Sequence, residues 1–461
     1  MTLDLSVGGL RAAYRDGALD PVTVAAEVRG RARARAEDNI WITLRDAESL
    51  RAEAVSITAR WPDPRKRPPL FGIPVAVKDN IDVAGLPTTA ACPDYSYVPA
   101  RSATLVGRLV EAGALIVGKT NLDQFATGLT GTRSPYGLCR SPFSPDHISG
   151  GSSSGSALAV ARDLVSVAIG TDTAGSGRVP AAFTATVGLK PSRGLVSGVG
   201  VVPACRSLDC PSVFARSVAD AEAAVRVMAG FDPADPWSRE FAAVDADGGG
   251  PDGPDGPARG LKVGVCDDGV LASLVTDKEI IAAYRESAAR LSCAGALVMP
   301  VDIGPLTEAG DLLYGGPFVA ERLTSLEDLL TSSPQSFHRD TKAVLLRARE
   351  TSAAEAFRGI HRVVELRRAA ARTIWQAVDA ILLPTVPFIP TLREALADSN
   401  GVTAALGRFT HFTNLMDLAA VAVPAGFRGD GLPIGVTVHA SAGRDRMLAG
   451  LAAALNGEPT P

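Results

Sequence analysis

Two runs of small residues and one lysine are the parts of this chain whose chemistry stands out. Ser149-Gly150-Gly151-Ser152-Ser153-Ser154-Gly155-Ser156 leads into Ala157-Leu158-Ala159-Val160-Ala161, a good helix start, so the loop must pass close to something. Backbone N–H groups in such a loop could cradle a phosphate. The segment lacks both the Gly-Lys-Ser/Thr ending of a P-loop and the G-x-G-x-x-G spacing, which argues against a nucleotide. A flexible linker is the other reading, although a polar linker is odd so close to apolar runs.

The second run is Gly170-Thr171-Asp172-Thr173-Ala174-Gly175-Ser176-Gly177-Arg178, directly after the strand-like Val165-Ser166-Val167-Ala168-Ile169. A serine on such a turn can act as a nucleophile while the preceding amides form an oxyanion hole, because glycine and alanine let the backbone approach a substrate closely. A purely structural tight turn explains the same residues equally well. Serine also needs a base. Lys78 follows the apolar Ile73-Pro74-Val75-Ala76-Val77, which carries it into the interior. Burial disfavours the ammonium form and pushes lysine toward a neutral amine that accepts a proton. The competing reading is an interior ion pair with Asp79 or another carboxylate.

The elements that position these groups alternate along the chain. Residues 1–60 read as helical, with apolar positions three to four apart in Pro21-Val22-Thr23-Val24-Ala25-Ala26-Glu27-Val28 and a second helical stretch from Ala47 to Ala54, ending before Pro62. We expect them to wrap a core rather than form one. From Pro68 to about Gly230, short β-branched runs such as Ile73–Val77 and Ala114-Leu115-Ile116-Val117 alternate with helical patterns and glycine-rich turns, which reads as α/β. Residues 245–260, rich in Asp, Gly and Pro, read as a mobile surface loop that either divides two lobes or is an insertion. Beyond it, Leu261–Val265, Ile381–Pro384 and Val436–Val438 are candidate strands, and residues 343–380 carry long helical patterns.

Composition narrows the partners. With 461 residues, 46% of them hydrophobic, the chain can bury a large core. The net charge of -4 removes a general electrostatic reason to bind nucleic acid or acidic lipid, leaving small polar molecules as partners. The amino terminus lacks a basic region followed by an apolar one, and no run of about 18 apolar residues occurs. We therefore expect a cytoplasmic protein. Cys92, Cys139, Cys205, Cys210, Cys266 and Cys293 form no C-x-x-C and read as small buried thiols. His147, His338, His361, His411 and His439 show no metal-ligand spacing, so no metal is expected.

Taken together, the motifs resemble the amidase signature family of serine hydrolases. The likeness runs through Phe71-Gly72-Ile73-Pro74-Val75-Ala76-Val77-Lys78-Asp79-Asn80, Gly118-Lys119-Thr120-Asn121, Ser149–Gly155, Gly170–Ser176 and Gly188-Leu189-Lys190-Pro191-Ser192, in that order. It implies an α/β fold with a large mixed β-sheet covered on both faces by helices. Residues 1–461 would form a single amidase domain: a helical part at 1–67, the signature core at 68–230, and substrate-side elements with the remaining core at 261–461. It also implies a Ser-Ser-Lys triad, in which Lys78 resembles the catalytic lysine, Ser152 the bridging serine on a cis peptide, and Ser176 the nucleophile. The backbone N–H groups of Thr173, Ala174 and Gly175, with that of Ser176, would form the oxyanion hole.

Within the family, Gly131-Thr132-Arg133-Ser134-Pro135-Tyr136-Gly137 and Thr173–Ala182 resemble the allophanate hydrolase branch. That likeness makes Tyr314 and Arg322 the pair that holds a substrate carboxylate. A guanidinium fork suits a small carboxylated amide, whereas a surface arginine paired with Glu321 or Asp328 is the plain alternative. The implied activity is allophanate hydrolysis releasing ammonia, as a step of urea degradation, without cofactor and as a homodimer. Members of this branch continue into a second carboxy-terminal domain, whereas this chain stops at Glu458-Pro459-Thr460-Pro461, so a longer parent chain or later steps elsewhere are expected. The rivals are another small-amide amidase, a glutamine-dependent amidotransferase subunit, and a non-catalytic binding protein on the same fold.

Overall fold

The computed structural model describes residues 3–241 and 258–458. Eleven strands among them form one mixed sheet: β1 (Trp41–Leu44), β2 (Pro74–Lys78), β3 (Leu115–Thr120), β4 (Val167–Thr171), β5 (Val187–Lys190), β6 (Pro211–Ala215), β7 (Lys262–Cys266), β8 (Leu297–Val301), β9 (Ala380–Pro384), β10 (Leu418–Phe427) and β11 (Pro433–Ser441). Their order across the sheet is β1-β3-β2-β4-β6-β5-β10-β11-β9-β7-β8. Residues on both sides of the 245–260 segment build this one sheet, those before it one half and those after it the other. Of that segment, residues 245–257 lie outside the described residues.

Successive strand residues point to opposite faces, and every residue of β2 to β6 and of β9 is buried. Both faces are therefore covered, as the largely apolar runs in these strands require. The helices Ser154–Ala161 and Val179–Thr184 pack on the sheet and on each other, and Val218–Met228 and Asp445–Asn456 do the same.

The first 60 residues depart from expectation. Their helices are Val7–Arg15, Pro21–Ala34 and Ala47–Arg60, with side-chain caps from Ser6, Asp20 and Asp46 onto the first-turn N–H groups. Leu10, Val24, Val28 and Leu50 are nearly inaccessible and belong to the same apolar cluster as β2, β3 and β4. They help to form the core rather than merely wrap it, because their apolar stripes meet the sheet directly. Between them β1 pairs antiparallel with β3 and closes one sheet edge. Cys293 is exposed, not buried, since it is the last residue of an amphipathic helix, Lys278–Cys293.

The topology sets the site. β2 lies parallel to β4, with Val77 opposite Ile169. Their carboxyl ends therefore deliver Lys78 and the Thr171–Arg178 turn to the same edge, where open α/β sheets bind ligands.

Candidate active site

Lys78 ends β2 with its side chain fully buried. Its Nζ donates to Ser152 Oγ at 2.8 Å, Ser153 Oγ at 2.9 Å and Thr171 Oγ1 at 2.8 Å. Burial away from water drives its pKa from 10.5 down to about 7, against the opposing pull of Asp123, Asp172 and Asp209. The amine is thus poised to accept a proton near neutral pH. The ion pair with Asp79 does not form: Asp79 Oδ1 lies 3.1 Å from Lys119 Nζ instead, both side chains being fully buried. Lys119 so satisfies the neighbouring carboxylate and leaves Lys78 to the hydroxyls.

Ser152 and Ser153 sit just ahead of the helix Ser154–Ala161, and the Gly151-Ser152 peptide is cis. Glycine is required at 151, where a Cβ would come within 2.2 Å of Asp123 Oδ2. Ser176 is 2% exposed and makes no side-chain hydrogen bond among the described residues. The structure joins Lys78 to Ser152 directly and leaves the Ser176 hydroxyl without a protein partner among those residues.

The turn carrying Ser176 is organised by Asp172. Its buried carboxylate accepts from Gly175 N at 2.8 Å, Gly177 N at 3.0 Å, Arg178 Nε at 2.9 Å and Arg178 Nη2 at 2.9 Å. Burial works most strongly against this charge, but Arg178, Lys190 and the Gly177 N–H together hold the carboxyl below its ordinary range. The oxyanion donors differ from expectation at one position. The Gly175 N–H is committed to Asp172, so it is not free as an oxyanion donor. The N–H groups of Thr173, Ala174 and Ser176 make no hydrogen bond among the described residues and remain available. Gly175 instead contributes shape: at φ +126°, its Cβ would meet Thr410 Oγ1 at 2.4 Å.

The segment Thr410–Asn414, which motif reading missed, braces this turn. Thr410 Oγ1 donates to Ala174 O at 2.9 Å, Asn414 Nδ2 donates to Asp172 O at 2.6 Å, and Arg178 Nη1 donates to Thr413 Oγ1 at 2.8 Å. No local spacing signals contacts more than 200 residues apart. Between these braces stands His411, whose ring centre is 5.0 Å from that of Tyr314. Burial and the nearby Arg178, Arg322 and Arg408 push its pKa down to about 3, so it is neutral.

Tyr314 and Arg322 come together as expected: Arg322 Nη2 donates to Tyr314 Oη at 3.1 Å, and Arg322 Nη1 to Thr127 Oγ1 at 3.0 Å. Arg322 is 1% exposed and has no carboxylate within ion-pair distance among the described residues. Glu321, its alternative partner, is occupied by Ser207, whose N–H and hydroxyl donate to it at 2.7 and 2.6 Å. Tyr314, which Arg322 bonds, stacks against His411, and the neighbouring Thr410 bonds Ala174 O, so Arg322 lies on the side of the Ser176 turn. Burial works against its charge, which Asp209 and Glu321, further off, favour, yet no anion meets the guanidinium at contact distance among the described residues. Among the described residues no cluster of side chains has metal-ligand character, and no helix is long and apolar enough to cross a membrane.

A mixed α/β sheet thus delivers a buried amine and a serine-bearing turn to one edge. The chain belongs to the Amidase family, whose profile matches residues 28–449. It is 42% identical over 412 residues to the urea amidolyase of Saccharomyces cerevisiae, covering 87% of this chain and 21% of that protein. The chain thus spans about a fifth of that relative. It is 33% identical to a glutamyl-tRNA(Gln) amidotransferase subunit from Deinococcus deserti, over 99% of this chain and 97% of that one. Among solved structures, the allophanate hydrolase of Kluyveromyces lactis superposes with a TM-score of 0.89 at 39% identity, over 98% of this chain and 72% of that one.

Proposed function

We propose that this chain hydrolyses the terminal amide of allophanate, using Lys78, Ser152 and Ser176. One observation supports the choice of substrate: Arg322 is buried on the side of the Ser176 turn with no protein carboxylate within ion-pair distance among the described residues, and allophanate supplies one. The greater identity to urea amidolyase than to the amidotransferase supports the same reading.

In this mechanism neutral Lys78 takes the Ser152 proton while Ser152 takes that of Ser176, and Ser176 Oγ attacks the terminal carbonyl. The free N–H groups of Thr173, Ala174 and Ser176 stabilise the tetrahedral oxyanion. Reversal of the relay protonates the leaving nitrogen, which departs as ammonia, and an acyl-enzyme remains. Water then repeats the cycle and releases a dicarboxylated amine that loses carbon dioxide. No cofactor takes part. Arg322 and Tyr314 grip the substrate carboxylate, Arg322 by its guanidinium fork. The working protein is a cytoplasmic homodimer of single-domain chains in this reading.

The test is ammonia release from allophanate, malonamate, biuret, glutamine and a neutral aliphatic amide, with Ser176→Ala as the control. Turnover of the two carboxylated amides, abolished in the control, is the expected result. Preference for glutamine would instead make the chain part of an amidotransferase, and no turnover of any amide would make it a binding protein.

A further inference from the structure

We propose that Thr127 is a positioning residue for the Arg322 guanidinium and, through it, a determinant of selectivity for carboxylated amides; this rests on the reading of Arg322 given above. Thr127 lies 195 residues from Arg322 in sequence and is 1% exposed. Its hydroxyl proton goes to Phe125 O at 3.2 Å, so its oxygen lone pairs face Arg322 Nη1 at 3.0 Å. Its N–H donates to Gln124 O at 3.1 Å, and its carbonyl accepts from Arg133 Nη1 at 3.0 Å. Every polar atom of Thr127 is therefore fixed. An arginine otherwise has much rotamer freedom to lose on binding. Here Thr127 holds one terminal nitrogen of the fork and Tyr314 Oη the other, which fixes the plane in which a carboxylate is met.

The turn that presents Thr127 is built for the purpose. Phe125 and Ala126 both adopt φ of +51°, a conformation that non-glycine residues rarely take and that persists only where the surroundings enforce it. The Phe125 ring is held at 5.3 Å from Tyr95 and 5.4 Å from Phe337, centre to centre. Its N–H is tied to Ala90 O at 2.9 Å.

The experiment compares steady-state kinetics on malonamate and on propionamide, its uncharged counterpart. Thr127→Val should raise KM for malonamate about tenfold, as loss of a hydrogen bond to a charged group does, with kcat within about twofold and propionamide kinetics unchanged. Thr127→Ser should restore the parent KM. If Thr127→Val fails to fold, Thr127→Ala gives the same comparison without a methyl group against the Phe125 carbonyl. Equal effects on both amides, no effect, or failure of serine to rescue would overturn the assignment. Arg322→Ala, measured alongside, separates the two levels. If it impairs malonamate selectively while the Thr127 variants do not, Thr127 has no such role and the carboxylate reading stands. If it impairs both amides equally, the carboxylate reading itself fails.

Discussion

The hydrogen bond between Lys78 and Ser153 has only one possible direction. The Ser153 hydroxyl donates its proton to Thr171 O at 3.1 Å, and a carbonyl can only accept, so Lys78 must donate to Ser153. A neutral amine has two protons and one lone pair. As an ammonium Lys78 donates to all three hydroxyls; once neutral, it can keep its donations to Ser153 and Thr171 and turn the lone pair to Ser152.

That asymmetry ranks two adjacent serines. Ser152→Ala should lower kcat for malonamate by about 10²–10⁴-fold, the usual worth of a positioned proton carrier. Ser153→Ala should cost clearly less, because its own proton is committed elsewhere. Equal losses in stopped-time ammonia assays would mean that the relay has been assigned to the wrong hydroxyl or is shared.

The protonation of Lys78 sets the pH dependence. Below its pKa of about 7 the ammonium cannot accept a proton, and above it the free amine can. The kcat/KM profile should therefore rise with pH and level off above about 7. A profile flat from about pH 5 upward would show that another group, or none, titrates in the rate-determining proton transfer.

Removal of the unpaired guanidinium should act on substrate charge. Arg322→Ala is expected to raise KM for malonamate about a hundredfold, corresponding to about 3 kcal/mol from a charge-assisted contact. KM for propionamide should change far less.

Asp172 is a structural prediction. Substituting Asn leaves Arg178 buried without its anion, a change that costs about 3–5 kcal/mol. Urea unfolding should show a lower midpoint at unchanged slope, and activity should fall as well because the same carboxylate shapes the Ser176 turn. An unchanged midpoint would show that the pair adds nothing to stability.

Much of this site could be read from the sequence, for physical reasons. Lys78 follows an apolar strand and Ser176 lies on a small-residue turn after another, whereas the choice of Ser152 within its serine-rich loop came from the resemblance to the amidase signature family. The α/β alternation was likewise visible, because β2, β3, β4 and β9 are continuous apolar runs. β5 was not, since Val187-Gly188-Leu189-Lys190 is too short and too mixed to signal a strand, nor was β8, whose exposed Leu297 and internal Pro300 break the pattern. The remaining elements of the site depend on distance. Thr127 with Arg322, and Thr410 with Ala174, meet across 195 and 236 residues, and the Asp172–Arg178 pair has no helical or strand spacing to announce it.

The middle of the sheet is a seam between β5, at residues 187–190, and β10, at residues 418–427. During synthesis, β5 can gain its second neighbour only when the ribosome has added more than 220 further residues, so the nascent protein carries an open sheet edge over that whole interval. Completion of the nucleophile turn waits on the same late segment, because Thr410, Thr413 and Asn414 brace it. The Ser176 turn should therefore reach its braced form only after most of the sheet's strands have been made.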